Sequence, residues 1–138
     1  MAYLYAFVAG FLATLVFHQG VLFVLHKAGA APKAPWDMSP VPPFGVPSVL
    51  SLAFFGGLWG ILLWLMIRAQ VGAAYWIAAL VLGAILPTLV ALFVVFPLKG
   101  LKFAAGWDPK IWIGALLVNG AWGLGVALMM MLSARLIY

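Results

Sequence analysis

Two histidines and two aspartates, with no glutamate or cysteine, are the imidazoles and carboxylates from which this chain could build acid–base or metal chemistry. His18 lies in an apolar run beside Gln19, and the carboxamide of Asn119 lies in another, with Thr14 and Thr88 as weaker polar members. An imidazole can pass a proton near neutral pH, and carboxamides can hold a small solute or fix helix register. His18 and His26 stand eight residues apart on one predicted helix, hence about 80° and 12 Å apart, too far to share one ion. A bis-histidine haem needs its second histidine on another helix, and there is none. Met66 and the run Met129 to Met131 lie towards the other face from His18, so haem is disfavoured and neither cofactor nor metal is expected.

The two carboxylates, Asp37 and Asp108, each follow a tryptophan, Trp36 and Trp107, in stretches that read as turns. Asp108-Pro109 before an apolar run has the form of a helix N-cap followed by proline at the first position, and Asp37 is expected to cap or close its loop. An acid and base pair would form only if the two loops met. No phosphate loop, Ser-His-Asp set or metal-ligand spacing occurs, so no catalytic residue is assigned and the balance leans away from an enzyme. Coupled transport usually recruits a carboxylate at membrane depth, and none lies in the apolar runs. Four-helix small multidrug transporters carry a Glu in the first helix, which this chain lacks.

The elements that must position these groups follow from composition. Of 138 residues, 68% are hydrophobic and 7% charged, with a mean hydropathy of +1.24, which excludes an ordinary soluble domain. The net charge of +5 is scattered between apolar runs and forms no stripe, so nucleic acid is not an expected partner. Four uncharged runs are each about 20 residues or longer, the length a helix needs to cross a bilayer. The expectation is an all-α integral membrane four-helix bundle of one domain, with helices about 3–26, 48–67, 72–96 and 110–133. The first run lacks a basic start and is too long for a signal-peptide core, so it is read as a span.

Lys27, Lys33, Lys99, Lys102 and Lys110 fall on the side of loops 27–47 and 97–109, against Arg68 and Arg135 on the other. That asymmetry predicts cytoplasmic loops and both termini outside, in a bacterial inner membrane. Tyr3, Tyr5, Trp64, Tyr75, Trp76 and Tyr138 would lie near one surface, and Trp36, Trp107 and Trp112 near the other. Aligning Trp36-Asp37 with Trp107-Asp108, and allowing about eight extra residues in the first loop, also brings Gly57-Leu58-Trp59-Gly60 onto Gly120-Ala121-Trp122-Gly123. The chain then reads as two antiparallel hairpins of the same polarity, a parallel internal repeat.

Lipid gives helices no hydrophobic drive to associate, so close approach over small residues supplies the contact energy. Gly56, Gly57 and Gly60 on the second helix and Gly120 and Gly123 on the fourth predict that these two helices meet at the centre, with Trp59 and Trp122 as packing anchors. On the first helix Ala6, Gly10, Thr14 and His18 recur every four residues, which turns His18 inward. Pro87 removes a backbone donor and predicts a kink in the third helix. The expected buried polar layer is His18, Asn119, Gln19 and Thr88. The leading expectation for function is an accessory or interaction subunit of a membrane complex, or a homo-oligomer. A carrier or channel for a small neutral or apolar solute, selective at His18 and Asn119, is the second, and a haem-binding redox subunit the third.

Overall fold

The computed structural model describes residues 1–137, with side chains as far as Ala134. Tyr138 and the side chain of Arg135, which entered the sequence-based orientation, lie outside the described residues. Four helices are long and apolar enough to cross a membrane: α1, Ala2–Lys27; α2, Ser48–Ile67; α3, Gly72–Leu98; and α4, Pro109–Ile137. The protein is an integral membrane four-helix bundle. The helices begin and end within a few residues of the apolar runs, because uncharged sequence is what hydrocarbon tolerates and the helix satisfies its own backbone there. A two-stranded hairpin, β1 (Pro40–Val41) with β2 (Val46–Pro47), folds the long α1–α2 loop.

Packing starts from small residues. A methyl group added at Gly60 would stand 2.6 Å from the Ala6 carbonyl oxygen and 2.8 Å from the Gly10 Cα, so α1 and α2 cross in backbone contact. The second hairpin repeats this. A methyl at Gly83 would meet the Gly123 Cα at 2.8 Å and the Asn119 carbonyl oxygen at 3.3 Å, and one at Gly123 would collide with the Ala79 carbonyl. Ala6, Gly10, Gly56 and Gly60 in the first crossing therefore answer Ala79, Gly83, Asn119 and Gly123 in the second. Gly57 and Gly120 lie on the flanks of these crossings, against the Phe7 ring and the Leu80 side chain.

Contrary to the expectation from sequence, α2 and α4 do not form the central pair. Each packs chiefly on the preceding helix of its own hairpin, and the hairpins join through α1 against α4. Trp122 is buried in that joint, its indole N–H donating to the Gly10 carbonyl at 3.1 Å, while Phe17 covers Gly125. The physical reason is that α1 and α3 carry small-residue stripes of their own, so each hairpin closes internally before the pair assembles. Towards the chain termini Ala6, Ala9, Leu63, Ile67, Ala79, Val126, Ala127 and Met130 fill the core. There the Tyr75 hydroxyl donates to the Ala127 carbonyl at 2.6 Å. Large apolar side chains such as Phe54, Phe55, Leu58, Ile77 and Val81 face outward, as a lipid-solvated surface requires.

Pro87 sits within α3, whose ladder runs on to a wider π turn at Ala91–Val95, one turn further along. A second π turn, Thr14–His18, interrupts α1, and the polar site is built around it.

Candidate functional site

The π turn of α1 changes which carbonyls are free. The Gln19 amide bonds the Thr14 and Val16 carbonyls and passes over Leu15. The long loop fills the gap: the indole N–H of Trp36 donates to the Leu15 carbonyl at 2.8 Å. The backbone N–H of Trp36 donates to Gln19 Oε1 at 2.7 Å, and its ring lies 6.0 Å from that of Phe23. Trp36 reaches these partners with φ of 50°, a left-handed conformation costly for a residue with a β-carbon. Two hydrogen bonds and an aromatic contact hold it there, so the loop is latched onto the spanning helix.

The latch fixes the tautomer of His18. Gln19 Oε1 is committed to a backbone N–H, so the carboxamide must turn its NH2 towards His18, whose Nδ1 lies 2.9 Å away. Nδ1 is then the acceptor, and the neutral imidazole carries its proton on Nε2. Among the described residues Nε2 has no hydrogen-bond partner, yet no unpaired polar side-chain atom is fully buried. It therefore opens into the adjoining cavity. That cavity, about 140 Å³, is lined by His18, Gln19, Leu22, Lys33, Asp37, Ser48, Val49 and Leu52.

Asp37 closes the loop around the cavity and does not cap a helix through its side chain. Its Oδ1 accepts from the Ser39 backbone N–H at 2.9 Å and the Ser39 hydroxyl at 2.6 Å. Those two bonds hold the carboxyl below its ordinary range, with a smaller contribution from the positive charge of Lys33. The start of α2 is satisfied by backbone: Val49 N–H donates to the Asp37 carbonyl and Ser48 N–H to that of Ser39, both at 2.8 Å. Asp108, in contrast, accepts the Lys110 backbone N–H on Oδ1 at 3.0 Å, capping α4 ahead of Pro109.

The expected single layer of His18, Gln19, Thr88 and Asn119 resolves into two hydrogen-bonded pairs. Asn119 Nδ2 donates to Thr88 Oγ1 at 2.9 Å within the second hairpin, and His18 pairs with Gln19 in the first. Thr14 is spent on its own helix, donating to the Gly10 carbonyl at 2.8 Å. Asp37 and Asp108 serve separate loops, and the link between the loops is Lys110 Nζ, which donates to the Gly29 carbonyl at 3.0 Å. Trp107 shares the left-handed backbone of Trp36, with φ of 59°, but its ring stacks on Trp112 at 5.6 Å. Among the described residues no three His, Asp or Glu side chains converge as metal ligands.

Trp59 is placed differently from its counterpart Trp122. It lines an outward groove with Phe55, Leu58 and Leu62, and among the described residues its indole N–H finds no acceptor. Sequence reasoning missed Lys33 and Ser48 as cavity walls and Leu15 as an acceptor. A signal for the loop closure was present in Asp37-Met38-Ser39, the spacing of an Asx turn. No protein-family model, curated protein or solved structure matches the chain.

Proposed function

We propose that this protein is a small interaction subunit of a membrane assembly, and that α2 receives a transmembrane helix of its partner. Trp59 carries the proposal. It stands near the middle of α2, where hydrocarbon offers no acceptor, and an unpaired N–H in such surroundings costs about 1–3 kcal/mol. Its counterpart Trp122 meets the same need by donating to a backbone carbonyl of an antiparallel helix, Gly10 of α1. A partner helix presenting a carbonyl or hydroxyl at that depth would complete Trp59 in the same way. The other polar groups at membrane depth, Thr14, Tyr75, Asn119 and Trp122, are already paired inside the bundle, which speaks against a solute path through it.

The same proposal places the protein in a bacterial inner membrane with the lysine-bearing loops in the cytoplasm and the termini outside, on the charge asymmetry. The test is native mass measurement of the protein taken from its own membrane into lipid nanodiscs. The wild type is expected in a complex of fixed stoichiometry, with another protein or with copies of itself. Trp59→Phe, which keeps the ring and removes the donor, should release it, whereas Trp64→Phe should not. A monomer, or a complex indifferent to Trp59→Phe, would refute the proposal.

A further inference from the structure

We propose that the cavity beneath the latched loop is a headgroup site for a glycerophospholipid bearing a primary ammonium. Position is the first ground. With Gly10 against Gly60 and Thr14 against Gly56, Ser48 falls level with Leu22 in the antiparallel pair, and both line the cavity. The 20 residues of α2 span about 30 Å, so Ser48 marks the hydrocarbon boundary and His18 lies one turn, about 6 Å, below it. Ester carbonyls of lipid lie at the boundary that Ser48 marks and phosphates just outside it.

Chemistry is the second ground. Lys33 supplies ammonium donors and Ser48 a hydroxyl at the phosphate level. His18 Nε2–H opens into the same cavity below that level, and Leu22, Val49 and Leu52 continue as an apolar wall towards the chains. Asp37 has Oδ1 committed to Ser39 and Oδ2 without a partner among the described residues. One positive and one negative side chain make the site neutral, which favours a zwitterionic headgroup over an anionic one. Donation to Asp37 requires N–H bonds, which ethanolamine has and a trimethylammonium lacks.

The test is lipid retention by the intact protein, measured by native mass spectrometry during titration with ethanolamine, choline and glycerol phospholipids of matched chains. The wild type should retain the ethanolamine lipid about tenfold better than the choline lipid. Asp37→Asn keeps the oxygen that accepts from Ser39 and should reduce that preference to about twofold or less. Lys33→Met should weaken retention of all three lipids. Equal retention of the three by the wild type would overturn the proposal, as would an ethanolamine preference that survives Asp37→Asn. Soluble phosphoethanolamine should compete poorly; binding as tight as that of the whole lipid would show that the site takes a free metabolite and would equally overturn it.

Discussion

Replacing Gly60 by alanine tests the packing on which the bundle rests. The new methyl would lie 2.6 Å from the Ala6 carbonyl oxygen, 2.8 Å from the Gly10 Cα and 3.0 Å from the Gly10 nitrogen. All three are backbone atoms of α1, so no rotamer change relieves the clash. Ordinary contact begins near 3.4 Å, and 3.4 less 2.6 leaves about 0.8 Å by which α1 and α2 must separate. A gap of that size forfeits a quarter to a half of each dispersion contact along the crossing. Overpacking of this kind costs about 1–3 kcal/mol, against a helix-propensity gain for alanine of about 0.5–1 kcal/mol. Gly20→Ala is the control, because nothing lies within 4 Å of its would-be methyl and only the propensity gain remains. Reversible unfolding in mixed micelles of rising SDS fraction should therefore rank Gly20→Ala at or above wild type and Gly60→Ala below it. Gly123→Ala should fall with Gly60→Ala, since its methyl collides with the equivalent Ala79 carbonyl. A Gly60→Ala protein as stable as Gly20→Ala would refute the backbone crossing.

Trp36→Phe removes the donor that satisfies the Leu15 carbonyl and should cost about 0.5–1.5 kcal/mol, seen as faster amide exchange and proteolysis across residues 30–40, with the spans unaffected outside residues 14–20. Because Ser39 holds the Asp37 carboxyl below its ordinary value, the stability this turn contributes is complete above the ordinary carboxylate range. It is lost as pH falls through the depressed folded value. The Ser39 amide shift should accordingly stay constant as pH falls through the ordinary carboxylate range and move only below it, and Asp37→Asn should abolish the transition. A double-mutant cycle of Asn119→Leu with Thr88→Val should give a coupling of roughly 0.6–1.7 kcal/mol by the same unfolding measurement; zero coupling would mean that the bond does not form in the membrane.

The spans were legible because hydrocarbon imposes one solution on uncharged runs of this length, and the run from Ser48 to Ile67 became a helix with those bounds. Partner choice was less legible. The glycines of α2 and α4 stand out by number, which invited pairing them with each other, but a crossing needs a small-residue stripe on both helices. The stripe facing Gly60 is Ala6 and Gly10, and the one facing Gly123 is Ala79 and Gly83, at the same spacing of four. That second stripe stands in the sequence one turn ahead of Pro87, which is the more conspicuous residue.

The polar site was hidden for a different reason. Depth counted from the loop-side end of the first apolar run, near residue 26, sets His18 level with Asn119, yet α1 overruns α2 on the loop side by the five residues from Phe23 to Lys27. The membrane boundary for this hairpin is therefore set by Ser48, and His18 belongs to the interfacial loop and its cavity. Nothing in the sequence marks a π turn at Thr14–His18. It emerges only when the loop arrives with an indole donor for the carbonyl that the turn leaves open. Helix irregularity, loop tautomer chemistry and Trp36 thus form one unit: removing the indole should let Leu15 return to Gln19, regularise α1 and release the His18 ring from its fixed Nε2–H form. Amide shifts of residues 14 to 20 in Trp36→Phe that stay at their π-turn values would separate the bulge from the loop and undo that coupling.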